Sequence, residues 1–125
     1  MWAGPRVRFP LVPKYILEDI EYSPDNSFCL GHNGRITAFG QLLNRQPDSL
    51  HMARILVDPG CRGRGYGREL CTDLIGIAQG RNAGTLTLNV YRDNPIGVGL
   101  YTSLGFREHR EKSTPEYVHM IRITT

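Results

Sequence analysis

Val57-Asp58-Pro59-Gly60-Cys61-Arg62-Gly63-Arg64-Gly65-Tyr66-Gly67 joins two unlike patterns of apolar residues. Before it the residues alternate, ending at Val57, and from about residue 66 the apolar period lengthens from two to nearly four. The stretch therefore reads as the end of a strand, a tight loop and the start of a helix. Its glycines let backbone N–H groups crowd towards one point, and a helix N-terminus adds partial positive charge. Such a loop suits a phosphate or pyrophosphate.

Upstream, Leu50–Val57 is expected as the strand, with His51, Ala53, Ile55 and Val57 on one face and Met52, Arg54 and Leu56 on the other. Downstream, Leu70, Leu74, Ile77 and Ala78 form a helical stripe closed by Gly80. Thr85–Tyr91 alternates again, Leu86, Leu88 and Val90 inward and Asn89 outward. Asn94 followed by Pro95 reads as a helix cap with proline at the first helical position, and Gly105 as the stop. Phe106–Arg110 and Glu116–Ile123 read as two further strands around a polar turn. On the N-terminal side, Ser27–Gly31 and Arg35–Leu43 form a hairpin across His32-Asn33-Gly34, followed by a turn over Asn44–Ser49. Residues 1–13 carry Pro5, Pro10 and Pro13 and are expected to be extended, while Lys14–Glu21 reads equally as a short helix or an extended segment. The strand–helix–strand step from Leu50 to Tyr91 should be parallel and right-handed, and the hairpins antiparallel.

A chain of 125 residues suits one domain, and 40% hydrophobic with 22% charged residues fits an ordinary globule. A net charge of +3 mildly favours acidic ligands but carries no nucleic-acid signature, and no nucleic-acid partner is expected. Cys29, Cys61 and Cys71 form no CxxC pair, which argues for a reducing, cytoplasmic setting without disulfides. His32, His51, His109 and His119 show no metal-ligand spacing, so no metal is expected. No apolar run approaches the ~20 residues of a membrane span.

Three glycine-rich readings of the loop compete. A Walker loop needs Lys-Ser or Lys-Thr after its last glycine, but Arg68-Glu69 follows Gly67. A dinucleotide fingerprint needs G-x-G-x-x-G and fails on spacing. An arginine-glycine RNA-binding tract has the composition of Arg62–Tyr66, but such tracts are repeated and disordered, whereas this one is single and wedged between strand and helix.

Ile55-Leu56-Val57-Asp58-Pro59 leading into Arg62-Gly63-Arg64-Gly65-Tyr66-Gly67 resembles the acyl-CoA-binding motif of GCN5-related N-acetyltransferases (GNAT), whose core is Q/R-x-x-G-x-G/A. Asn94, then Leu100-Tyr101, then Leu104-Gly105-Phe106 resembles the same family's later pattern. The resemblance covers roughly residues 27–123. It implies an α/β (α+β) fold: a mixed, mostly antiparallel twisted sheet with a central parallel strand pair splayed around the cofactor, and helices on both faces. It divides the chain into a shortened arm, 1–26, and an acetyl-CoA-binding domain, 27–125.

The resemblance further implies acetyl transfer from acetyl-CoA to a primary amine by direct attack on the thioester. Backbone amides from Arg62 through Gly63, Arg64, Gly65 and Tyr66 to Gly67 would hold the coenzyme A pyrophosphate, with charge from Arg62, Arg64 and Arg68. Ile55, Leu56 and Val57 would offer backbone groups to the pantetheine arm and the thioester oxygen. Asn94 would contact the pantetheine or cap its helix, and Gly97 and Gly99 suggest close approach of the cofactor. Tyr101 would protonate the leaving thiolate, whose reference pKa is about 8.5.

The base is less clear. Relatives that acetylate protein N-termini often carry Glu where this chain has Asn89, and Asn cannot serve as a base. Family members also place a strand and two helices before the hairpin, a segment expected to be abbreviated here. Three consequences stay open: an open site for a large acceptor, completion by a second subunit in a homodimer, or an acyl-CoA-binding module without turnover. The acceptor that the resemblance implies is a small-molecule or peptide amine, with protein N-terminal or lysine acetylation as alternatives. The acidic residues Glu18, Asp19, Glu21 and Asp25 read either as a landing place for a cationic acceptor or as solvated loop charges.

Overall fold

The computed structural model describes residues 25–124 except Asn33 and Arg62. The proline-rich arm, the Lys14–Glu21 segment and three of the four acidic residues upstream of Asn26 lie outside the described residues, as does Arg62 itself.

Among the described residues six strands form one sheet: β1 (Ser27–His32), β2 (Arg35–Gln46), β3 (Ser49–Val57), β4 (Thr85–Tyr91), β5 (Arg107–Glu108) and β6 (Tyr117–Ile123). Their spatial order is β1-β2-β3-β4-β6-β5. Every neighbouring pair is antiparallel except β3 and β4, which are parallel as the strand–helix–strand pattern requires. Among the described residues two helices, α1 (Tyr66–Gly80) and α2 (Pro95–Ser103), supply the connections on either side of β4. The hairpin turn between β2 and β3 is tighter than expected: polar Asn44–Gln46 continue the strand, leaving Pro47-Asp48, with Asp48 at φ 63°. At the other end, the expected strand Phe106–Arg110 contracts to two residues because Phe106 turns into the core and Arg110 opens a 3-10 turn.

Both helices end with the same hydrogen-bond pattern. In α2, Phe106 N–H reaches Tyr101 O and Gly105 N–H reaches Thr102 O, with Gly105 left-handed at φ 97°. The Phe106 ring then packs edge-on against Tyr101, centroids 6.0 Å apart. In α1 the left-handed residue is Asn82, φ 59°, two residues beyond the Gly80 expected to close the helix; Ala83 N–H bonds Ala78 O. Asparagine's short polar side chain tolerates that conformation.

The buried face of α1 is Leu70, Cys71, Leu74, Ile75 and Ala78, so the stripe is rotated from the expected one and Ile77 lies at its edge. It packs on β1, β2 and β3, while α2 packs on β4. Leu86, Leu88 and Val90 face this core as expected.

The expected alternation of β3 breaks at Arg54. Gln41 pairs with Ala53 and Phe39 with Leu56, so Gly40 alone faces Arg54 and Ile55, and Arg54 is left-handed at φ 53°. Leu50 and Met52 point to the core before this bulge, and Ile55 and Val57 pack against it after. Gly40 makes the bulge sterically feasible: a Cβ there would stand 2.6 Å from Ile55 Cδ1 and 3.2 Å from both Leu70 Cδ2 and Leu74 Cδ1. A glycine on β2 thus lets α1 and the bulged strand close on one another.

Candidate active site

The bulge opens the sheet. The parallel ladder between β3 and β4 runs only from Ser49↔Thr85 to Met52↔Leu88, and beyond it the two strands have no mutual pairing. Asp58 N–H donates to Thr37 O at 2.8 Å on the β2 side. Alternation along a strand therefore turns the Val57 N–H to the β4 side, into the gap. Ile55 and Val57 lie along that open edge, and Leu56 projects to solvent.

Past Val57 the chain is tied down by Asp58. Its Oδ1 accepts the Gly60 N–H at 3.0 Å and its Oδ2 accepts from Arg35 at 2.9 Å. The Gly60 hydrogen bond first, and the Arg35 guanidinium with it, hold the carboxyl below the usual aspartate range. A 3-10 turn over Pro59–Cys61 leads to Gly63 and Gly65, both left-handed at φ 80° and 82°. Left-handed backbone is adopted most cheaply by glycine, so these two positions shape the loop. Gly65 then caps α1, its carbonyl accepting from Glu69. The N–H groups of the first turn, from Tyr66 to Arg68, have no acceptor within the helix and add to the positive end of its dipole.

The start of α1 abuts both the strand end and α2: a Cβ on Gly67 would meet Val57 Cγ2 at 3.4 Å and Leu100 Cδ2 at 3.9 Å. Arg68 leans to α2, donating to Ser103 Oγ at 2.9 Å, and Arg64 is exposed. The Asn94 side chain caps α2 by accepting the Gly97 N–H at 3.0 Å. Gly97 lies against Asn94 and Val90, whereas Gly99 faces open space. The strand end, the glycine loop and the two helices are thus brought together beside the open end of the fork.

Tyr101 is buried at 9% exposure in the same core cluster as Cys71 and Phe106. Burial first, with Cys71 nearby, pushes its phenol well above the ordinary value, so the hydroxyl stays protonated at neutral pH. Burial likewise pushes the Cys71 thiol up to about 12.

Two features escaped the sequence reading. Gln41, fully buried, accepts from Arg54 Nη1 at 2.8 Å and donates to Ser27 Oγ at 3.0 Å, linking the bulge to β1. On the sheet face away from α1 and α2, His51, His109 and His119 converge, their rings 6.2 and 6.0 Å apart across His119. The register of three strands makes that cluster, and spacing along the chain gives no hint of it.

A sequence profile of the Acetyltransferase (GNAT) family matches residues 2–106. Among curated relatives, N-alpha-acetyltransferase RimI of Mycobacterium tuberculosis is 33% identical over 89 residues, which cover 68% of this chain and 54% of the relative. The [ribosomal protein bS18]-alanine N-acetyltransferase of Haemophilus ducreyi is 38% identical over 61 residues, 49% of this chain and 42% of the relative. The chain spans about half the length of these relatives. Among solved structures, the ribosomal-protein-S18-alanine N-acetyltransferase of Escherichia coli superposes with a TM-score of 0.76 at 25% identity, covering 94% of this chain and 81% of that one. The profile match extends over most of the sequence and the superposition over nearly all of it: the chain belongs to the Acetyltransferase (GNAT) family.

Proposed function

We propose that this protein transfers an acetyl group from acetyl-CoA to a primary amine, and that the open fork between β3 and β4 beside the N-terminus of α1 is where it does so. The observation that carries this reading is the end of the parallel ladder at Met52 and Leu88, next to two left-handed glycines and a helix start. N–H groups at a helix N-terminus, which have no acceptor within the helix, fit a pyrophosphate, and a strand edge beyond the parallel ladder fits an extended arm bearing amides. The donor set of the cleft therefore suits coenzyme A.

In this reading the amides from Gly63 to Gly67 bind the pyrophosphate, with charge from Arg64, Arg68 and Arg62. Ile55, Leu56 and Val57 line the pantetheine arm, and the Val57 N–H is available to a carbonyl oxygen. The thioester supplies an activated acyl group. Asn94 and Gly97 shape the entrance of α2. Tyr101, protonated and on the helix beside the cleft, donates a proton to the departing sulfur. The acceptor is a small-molecule or peptide amine; the relative designated an N-alpha-acetyltransferase supports a peptide α-amine, while Asn89 in place of a carboxylate weighs against it. Residues 27–125 form the working domain in this account. Cys71, a buried thiol, supports a reducing, cytoplasmic setting. Among the described residues no helix is long and apolar enough to cross a membrane.

The test is thiol release from acetyl-CoA with a panel of acceptors: peptides with a free α-amine, lysine peptides with a blocked N-terminus, and polyamines. Thermal shift with CoA runs beside it. Release with one acceptor class supports the proposal; a CoA shift without release marks a binding module; no CoA shift overturns the reading.

A further inference from the structure

The face of the sheet away from α1 and α2 carries a polar group that acetyl transfer needs and the glycine loop does not supply. Asn89 is the first residue of β4 beyond the parallel ladder, so its side chain stands at the fork. Its Oδ1 lies 2.7 Å from His119 Nδ1 on β6. An amide oxygen only accepts, so this contact puts the ring proton on Nδ1 and leaves the lone pair on Nε2. Beside them His51 Nδ1 lies 2.7 Å from Thr87 Oγ1, and the His51 and His119 rings are stacked at an interplanar angle of 13°. Ser49, His51, Thr87, Asn89 and His119 line a cavity of about 300 Å³ together with Arg45, Gln46 and Lys112.

The groups that face His119 come from every element around it. His51 is on β3, Asn89 on β4, His109 and Lys112 on the connection between β5 and β6, and Arg45 on the β2 end of the hairpin. No carboxylate is among the described residues lining the cavity. Burial first, then Lys112 and His109, hold the imidazole below its ordinary value of 6.5. His119 is therefore neutral at physiological pH and able to take a proton.

We propose that His119 is the proton acceptor for the attacking amine, and that Asn89 is the positioning residue that fixes its tautomer. This rests on the acetyl transfer proposed above. The amine nitrogen bonds to the acyl carbon as the C–S bond breaks. One N–H proton passes to His119 Nε2, directly or through one water, and the sulfur takes the Tyr101 proton. Solvent then returns a proton from the imidazolium to the phenolate, restoring both groups. Asn89, unable to act as a base, thus holds one on the neighbouring strand.

The experiment is the pH profile of kcat/KM for thiol release, from pH 5 to 9, with the best acceptor of the panel. Wild type, His119→Gln and Asn89→Asp are compared, each with a CoA thermal shift. General-base loss predicts a fall of about 10²-fold in His119→Gln with the CoA shift retained and the acid limb gone. Asn89→Asp places a carboxylate against Nδ1, so its acid limb moves to higher pH. That variant also decides the matter if His119→Gln fails to fold. Rates within about twofold of wild type with an unchanged acid limb in His119→Gln, or an acid limb in Asn89→Asp that stays or moves down, overturn the proposal. Wild type that binds CoA but releases no thiol, or does not bind it, overturns the underlying acetyl transfer instead, and the role of His119 falls with it.

Discussion

Asn94 and Gly97 occupy one small space: the Asn94 carboxamide oxygen accepts the Gly97 N–H at 3.0 Å, and a Cβ on Gly97 would stand 2.6 Å from Asn94 Nδ2. The cap of α2 thus depends on the absence of a side chain three residues on. Asn94→Ala should cost about 1 kcal/mol and lower Tm by roughly 4 °C. Gly97→Ala should cost at least as much, because the methyl group displaces the cap and crowds Val90. Gly99→Ala, facing open space in the helix interior, should instead stabilise by about 0.5–1 kcal/mol. Thermal melts of the three variants check the order, and a lowered Tm for Gly99→Ala would contradict it.

Gln41 links the bulged strand to β1 through two hydrogen bonds in a fully buried position. Gln41→Leu keeps the volume and removes both, which should cost about 2 kcal/mol in urea unfolding at unchanged m-value. A variant as stable as wild type would show that Arg54 holds the bulge without it.

Asp58 ties the loop to β2, and its folded-state pKa is depressed. A carboxyl with a lowered folded pKa contributes stability above its unfolded value, near 3.8, and loses it as pH falls through the folded value. Unfolding monitored between pH 6 and 2 should therefore show a steeper acid loss in wild type than in Asp58→Asn, with the difference confined to the region below about pH 4.5. Identical slopes would contradict the assignment.

Tyr101→Phe removes one hydroxyl and leaves the packing on Phe106 intact. If the phenol protonates the departing sulfur, kcat should fall by about 10²-fold while the CoA thermal shift stays within a degree of wild type. Equal kcat in the two proteins would move that proton to water.

Most of the fold could be read from periodicity and end signals. Helix α2 was marked at both ends, by Asn94-Pro95 and by Gly105, and both signals work as their chemistry requires. The β3–loop–α1 unit was marked by the switch of apolar period at the glycines. The bulge was hidden, because Arg54 gives no sign of a left-handed backbone and the enabling glycine lies on the partner strand at Gly40. Likewise the polar run Asn44–Gln46 resembles a loop, yet the ladder continues through it to Gln46↔Ser49. The histidine cluster needed register: Asn89 faces His119 only because β4 and β6 pair there, thirty residues apart. Local signals reveal elements, whereas a site assembled across strands depends on pairings that no local window contains.

The most direct measurement of the central claim is an amide NMR titration of the protein with coenzyme A. Binding at the fork gives saturable one-to-one shifts at Gly63, Gly65, Gly67 and Val57, around the loop and the open strand edge, with the Asp48 amide in the distant hairpin unmoved. Loop amides that do not shift at saturating coenzyme A, or shifts gathered at the hairpin instead, would contradict it.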